Sequence, residues 1–145
     1  MKQHTAQRIV IKIGTSSITY PNGKLNLHQI ELLTEIIVDL MNSGKQVILV
    51  TSGSIGAGMG VLQSTKKPQE IAMKQATAAI GQAYLMQIYQ RYFSRLSTNC
   101  AQILLTKDVL EDPLRQENVK QTLEKLFELG VVPVVNENDT VSTDE

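Results

Sequence analysis

The chain has 145 residues, enough for one domain with a buried core. Lys plus Arg and Asp plus Glu each total 14, so the formal charge is zero and there is no electrostatic footprint for nucleic acid or an anionic membrane. The single Cys100 excludes an internal disulfide framework, and no apolar run approaches the roughly 18 residues of a membrane span.

After Met1–Arg8 the apolar run is only Ile9–Ile11, too short for a secretory leader. A soluble, cytoplasmic protein is the expectation. Arg8–Ile13 (RIVIKI) reads as a strand. Leu27–Asn42 reads as a helix, with Asn26 as N-cap, Ile30, Leu33, Ile37 and Leu40 at helical spacing, and Gly44 as the stop. Gln46–Val50 (QVILV) is a second strand, and the Gly- and Ser-rich Thr51–Gly60 begins a short helix. Pro68 opens a long helix from Gln69 to Arg95. Gln102–Leu105 is a third strand, Leu114–Leu129 a helix capped by Gly130, and Val131–Val135 a fourth strand. Strands alternating with helices predict βαβ units, hence an α/β fold with a mostly parallel sheet and helices on its faces. The nearly unbroken apolar strands agree, because parallel strands are buried on both sides.

Each strand empties into residues a core does not need. They are Lys12, Gly14, Thr15 and Ser16; then Thr51, Ser52, Gly53 and Ser54; then Thr106, Lys107 and Asp108; then Asn136 to Asp139. In a parallel sheet all C-terminal strand ends lie on one edge, where open α/β folds bind ligands. Lys12 interrupts an apolar strand, and an ammonium buried there would need an anionic partner; the alternative is a lysine snorkelling from an edge strand. Gly14 and Gly53 let backbone N–H groups approach a ligand closely, and a helix starting after them adds a positive dipole end. These are phosphate-binding parts. The common phosphate motifs do not match, since Gly23-Lys24 is followed by Leu25 and GSIGAGMG (Gly53–Gly60) is out of register for a dinucleotide loop. His4, His28 and Cys100 form no metal-ligand or nucleophile pattern.

Five segments in order carry a resemblance: VIKIGTSSIT (Val10–Thr19), VTSGSIGAG (Val50–Gly58), QATAAIGQAYLMQIY (Gln75–Tyr89), QILLT (Gln102–Thr106) and VVPVVNENDTV (Val131–Val141). Together they resemble the amino acid kinase superfamily, in its glutamate 5-kinase branch. That resemblance implies a three-layer αβα sandwich. It also implies phosphorylation of the side-chain carboxylate of L-glutamate by ATP with Mg²⁺, the first step of proline biosynthesis. A carboxylate is already a nucleophile, so such a site needs two anions held in line rather than a general base.

By resemblance, Lys12 contacts the transferring phosphate with Gly14 and Thr15 nearby, Ser52 and Gly53 hold the substrate, Asp139 takes the α-ammonium and Asn138 shapes that loop. Ser54 stands where the family usually has Ala. The family pattern places residues 1–145 in the amino-acid-substrate half, with the nucleotide-binding half beyond Glu145. It further implies a homo-oligomer and glutamyl phosphate reductase as a partner. A rival reading keeps the fold as a regulatory or assembly module without turnover. Ala72, Ala76, Ala79 and Ala83 form a small-residue stripe on the long helix, expected to pack on the sheet or serve assembly.

Overall fold

The computed structural model describes residues 7–137, and the side chains of 7–136. Four strands, β1 (Arg8–Ile13), β2 (Gln46–Thr51), β3 (Asn99–Leu105) and β4 (Val131–Glu137), form one sheet in the order β1-β2-β4-β3. Every pairing is parallel. Six helices connect them: α1 (Thr15–Ile18), α2 (Leu27–Asn42), α3 (Ser54–Val61), α4 (Ile71–Arg95), α5 (Lys107–Glu111) and α6 (Pro113–Glu128).

The chain moves one way across the sheet through α2 and α4, then turns back through α6 to insert β4 between β2 and β3. Right-handed crossovers therefore put α6 on the face opposite α2 and α4, giving three layers. The core lies on the α2–α4 side. Ile30, Leu33 and Ile37 from α2 meet Leu85, Tyr89 and Phe93 from α4 over Val47, Leu49, Val132 and Val134 of the central strands. A fully buried Leu, Ile or Phe contributes about 1.5–3 kcal/mol, so this one layer supplies most of the fold's cohesion. On the other side α6 buries no residue completely. There Arg8 bridges to Glu124 at 2.7 Å and lies over the Phe127 ring at 4.6 Å.

Local signals account for the helix ends. The Asn26 side chain accepts from Gln29 N at 3.2 Å, and Gly130, at φ +69, closes α6 in a conformation that favours glycine. Asp112 is the N-cap of α6, accepting from Leu114 N at 2.9 Å ahead of Pro113.

Several boundaries differ from expectation, α6 by one residue at each end. Helix α4 begins at Ile71, β3 begins three residues early at Asn99, and β2 and β4 each run past their apolar stretch. Cys100 consequently lies inside β3, half-buried, rather than before it. The alanine stripe is a larger difference. Ala72, Ala76, Ala79 and Ala83 are all exposed, and α4 packs inward through Ala78, Gln82, Leu85, Tyr89 and Phe93. Ala78 and Gln82 are each one residue from the stripe's Ala79 and Ala83, or roughly 100° round the helix.

Among the described residues no helix is long and apolar enough to cross a membrane.

Candidate functional site

All four strands point the same way, so their C-terminal ends share one edge. A cleft of about 830 Å³ opens there, lined by groups from every strand end: Lys12, Thr15, Ser52, Thr106, Lys107 and Asn136 among them. The convergence expected from the strand-end composition is therefore present. Ser16, Gly53 and Ser54 line neighbouring depressions instead, and Asp108 is not among the lining residues either. It turns back to accept from Thr106 and pairs with Arg115 at 2.9 Å. The Thr106 hydroxyl first, and Arg115 after it, hold its carboxyl below the usual carboxylate range.

Lys12 lies on β1, an edge of the described sheet, with its side chain exposed. Desolvation therefore does not demand a partner for it, and it makes no ion pair among the described residues. What places it in the cleft is the strand end, since Gly14 breaks β1 immediately afterwards and the chain turns into α1 through Ser17 N to Gly14 O at 3.1 Å. Thr15 stands at the start of α1, its hydroxyl 3.5 Å from Ser52 Oγ. Ser52 is tied to β1 twice, by its backbone N at 3.1 Å and its Oγ at 3.2 Å, both to the Ile13 carbonyl. The first two strand ends are thus latched side by side.

Gly53 follows at φ +106, a left-handed conformation, and a Cβ there would meet Ile18 Cδ1 at 3.0 Å. Only glycine turns the chain this sharply from β2 into α3 without strain. Gly53 lines a neighbouring depression of about 280 Å³ with Thr15, Lys67 and Lys74, rather than the main cleft.

Below the cleft, α4 holds the strand ends from inside. The buried Tyr89 hydroxyl is 3.0 Å from Thr51 Oγ1, which also donates to the Ser52 carbonyl at 3.0 Å. Burial pushes the Tyr89 phenol up to about 12, against a smaller opposing effect of Thr51. Two turns earlier on the same face, Gln82 Oε1 accepts from Asn136 Nδ2 at 2.9 Å. Both members of this second pair are buried. Composition alone did not single out Gln82, although its phase with Leu85, Tyr89 and Phe93 marks it as an amide inside an apolar stripe. Asn138 and Asp139 lie outside the described residues.

Cations, hydroxyls and free backbone ends fit phosphate and carboxylate oxygens. Among the described residues no cluster of three or more His, Cys, Asp or Glu is placed to hold a metal ion.

Such an arrangement defines an α/β domain with a polar cleft, suited to anionic groups, at the carboxyl edge of a parallel sheet. The amino acid kinase family pattern matches residues 7–145, and the chain belongs to that family. It is similar to a glutamate 5-kinase from Clostridium perfringens, 51% identical over 140 residues that cover 97% of this chain and 52% of the relative. It is likewise 53% identical over 138 residues to the glutamate 5-kinase of Thermoanaerobacter sp. (strain X514), covering 95% of this chain and 37% of that protein. With the glutamate 5-kinase of Enterococcus faecalis the identity is 50% over 144 residues, 99% of this chain and 53% of the relative. The chain thus spans about half, or less, of the length of these relatives.

Proposed function

We propose that residues 1–145 form the amino-acid-substrate part of a glutamate 5-kinase, which transfers the γ-phosphoryl group of ATP to the side-chain carboxylate of L-glutamate and so opens proline biosynthesis. The observation that carries this reading is the cleft itself, with a lysine, latched hydroxyls and a buried amide brought from the strand ends to one edge. The similarity to glutamate 5-kinases over 95–99% of the chain supports it.

In this reading a carboxylate oxygen of glutamate forms the new P–O bond as the bond from the γ-phosphorus to the β–γ bridging oxygen breaks, and ADP leaves. The nucleophile has no proton to lose, so no base is needed. Lys12 neutralises charge on the transferring group, with Gly14 and Thr15 beside it on the phosphate oxygens. Ser52 and Gly53 hold glutamate, Asp139 takes its α-ammonium and Asn138 supports that loop. The donor set of the described cleft fits phosphate oxygens rather than a metal cage, and Mg²⁺ supplies charge neutralisation when it arrives on the nucleotide. The full protein is expected to work in the cytoplasm as a homo-oligomer, handing its reactive acyl phosphate to glutamyl phosphate reductase.

The test is coupled ADP release by the full-length protein with MgATP and either glutamate or glutarate. Glutamate should be used and glutarate, which lacks the ammonium, should be used at least a hundredfold less well, the cost of leaving one partner of a buried charge pair alone being about 3–5 kcal/mol. Equal use of both acids would remove Asp139 from its role; use of neither would overturn the assignment of substrate.

A further inference from the structure

Gln82 and Asn136 lie 54 residues apart in sequence, their carboxamides pair where β4 reaches the cleft, and Gln82 Nε2 is left unsatisfied among the described residues. Two carboxamides facing one another can exchange two hydrogen bonds. Here Asn136 Nδ2 donates to Gln82 Oε1, while Gln82 Nε2 is buried and has no partner among the described residues. Gln82 is only 8% exposed and Asn136 5%. A buried donor left unmade costs about 1–3 kcal/mol, so a purely structural pair would be better replaced by apolar residues that complete the surrounding core.

The neighbouring contact shows the contrast. Tyr89 and Thr51 join the same helix face to the end of β2 with both hydroxyls engaged. Asn136 stands near the end of β4, two residues before Asn138 in sequence, and like Thr51 it lines the cleft.

We propose that Gln82 is a positioning residue for the acceptor amino acid: its Oε1 holds the carboxamide of Asn136, which lines the cleft. This deepens the functional reading above and rests on it. The clamp fixes the rotation of the Asn136 carboxamide, so a substrate oxygen meets a preset polar floor instead of a side chain that must first be ordered. Gln82 touches neither reacting atom nor nucleotide in this scheme.

The experiment uses the full-length protein with Gln82→Met, which keeps length and burial but can neither accept nor donate, and Gln82→Glu, which keeps an acceptor for Asn136 Nδ2. Loss of a clamp worth one net hydrogen bond should raise the KM for glutamate about tenfold in Gln82→Met, leaving the KM for MgATP and kcat within about twofold. Gln82→Glu should fall between this variant and the wild type. In an Asn136→Ala background Gln82→Met should add little, because the two act as one unit. An unchanged glutamate KM in Gln82→Met, or equal losses for both substrates, overturns the inference while leaving the kinase reading intact. A wild-type protein that ignores glutamate overturns the kinase reading instead. The side-chain amide resonances of ¹⁵N-labelled Asn136 then decide the clamp alone: a shift in Gln82→Met sustains it, and unchanged resonances remove it.

Discussion

Lys12 and Tyr89 show how differently two residues of one site can be engaged. Lys12 is exposed on an edge strand, so shortening it leaves no cavity and no orphaned partner. Lys12→Ala in the full-length protein should therefore fold normally and lose about a hundredfold in kcat, close to 3 kcal/mol of transition-state stabilisation, with little change in glutamate KM. Steady-state kinetics beside a melting curve checks it, and near-normal turnover would exclude Lys12 from phosphoryl transfer. Tyr89 is the opposite case, fully buried with its hydroxyl on Thr51. Its folded phenol is pushed from 10.0 up to about 12. The unfolded chain therefore loses this proton first as pH rises, and the linked stability is complete below pH 10, then declines as pH climbs toward 12. The loss should reach about 2–3 kcal/mol and should be absent in Tyr89→Phe, as urea titrations between pH 9 and pH 11.5 would show. Cys100 responds to burial in the same direction, its thiol raised to about 11, so alkylation by iodoacetamide at pH 8 should be much slower than for a free thiol. Lys12 and Ser52 were legible in the sequence because each breaks an apolar run at a strand end. Gln82 was not, because its partner is 54 residues away and only the packed helix phase brings the two amides together.

Helices α3 and α4 are joined by glycines rather than by side chains. A Cβ on Gly81 would stand 1.6 Å from the Ser54 carbonyl oxygen, and one on Gly58 would stand 2.0 Å from that of Thr77. These neighbours are backbone atoms and cannot swing aside, so the cost exceeds ordinary overpacking of about 1–3 kcal/mol. Gly81→Ala and Gly58→Ala should each destabilise the protein by more than about 3 kcal/mol or abolish soluble expression, because α3 carries the Ser52-Gly53 turn with it. Gly56→Ala is the control, since its Cβ would meet only Thr19 Cγ2 at 3.4 Å and Thr15 Cγ2 at 3.5 Å. Chemical denaturation of the three variants compares them directly, and a Gly81→Ala protein as stable as Gly56→Ala would disprove the close packing. Helix–helix contact of this kind explains a mistake of phase. Small residues on α4 suggested a packing stripe, yet the alanines face solvent and the close approach is made by Gly81, one helix face away. Long periodic elements such as α2 were readable to the residue because cap, apolar period and terminal glycine all agree. The short helices α1 and α5 were not, having too few residues for any period and depending on the turn each strand end must make.

At the scale of the molecule the two faces of the sheet are unequal. The α2–α4 side holds the core, whereas α6 buries no residue fully, and Val10 on β1 is 61% exposed. The outward face of α4 adds Ile71 at 63% and Met73 at 46% exposure. Apolar edges and faces of this kind favour association, so residues 1–145 produced alone should sediment with a concentration-dependent mass. Phosphoryl transfer makes a second demand. Holding two reactants in line contributes about 7–11 kcal/mol, and it requires nucleotide and acceptor to be fixed by one rigid body. The described cleft has cationic and hydroxyl groups suited to the acceptor and its transferring phosphate, while this chain spans 37–53% of the glutamate 5-kinases it resembles. Residues 1–145 alone should consequently show no glutamate-dependent ATP consumption, even where calorimetry detects glutamate binding, and the full-length protein should show both. Turnover by the purified segment, abolished in the same preparation by Lys12→Ala, would mean that the nucleotide is held within these residues and that the division of the site has been drawn in the wrong place.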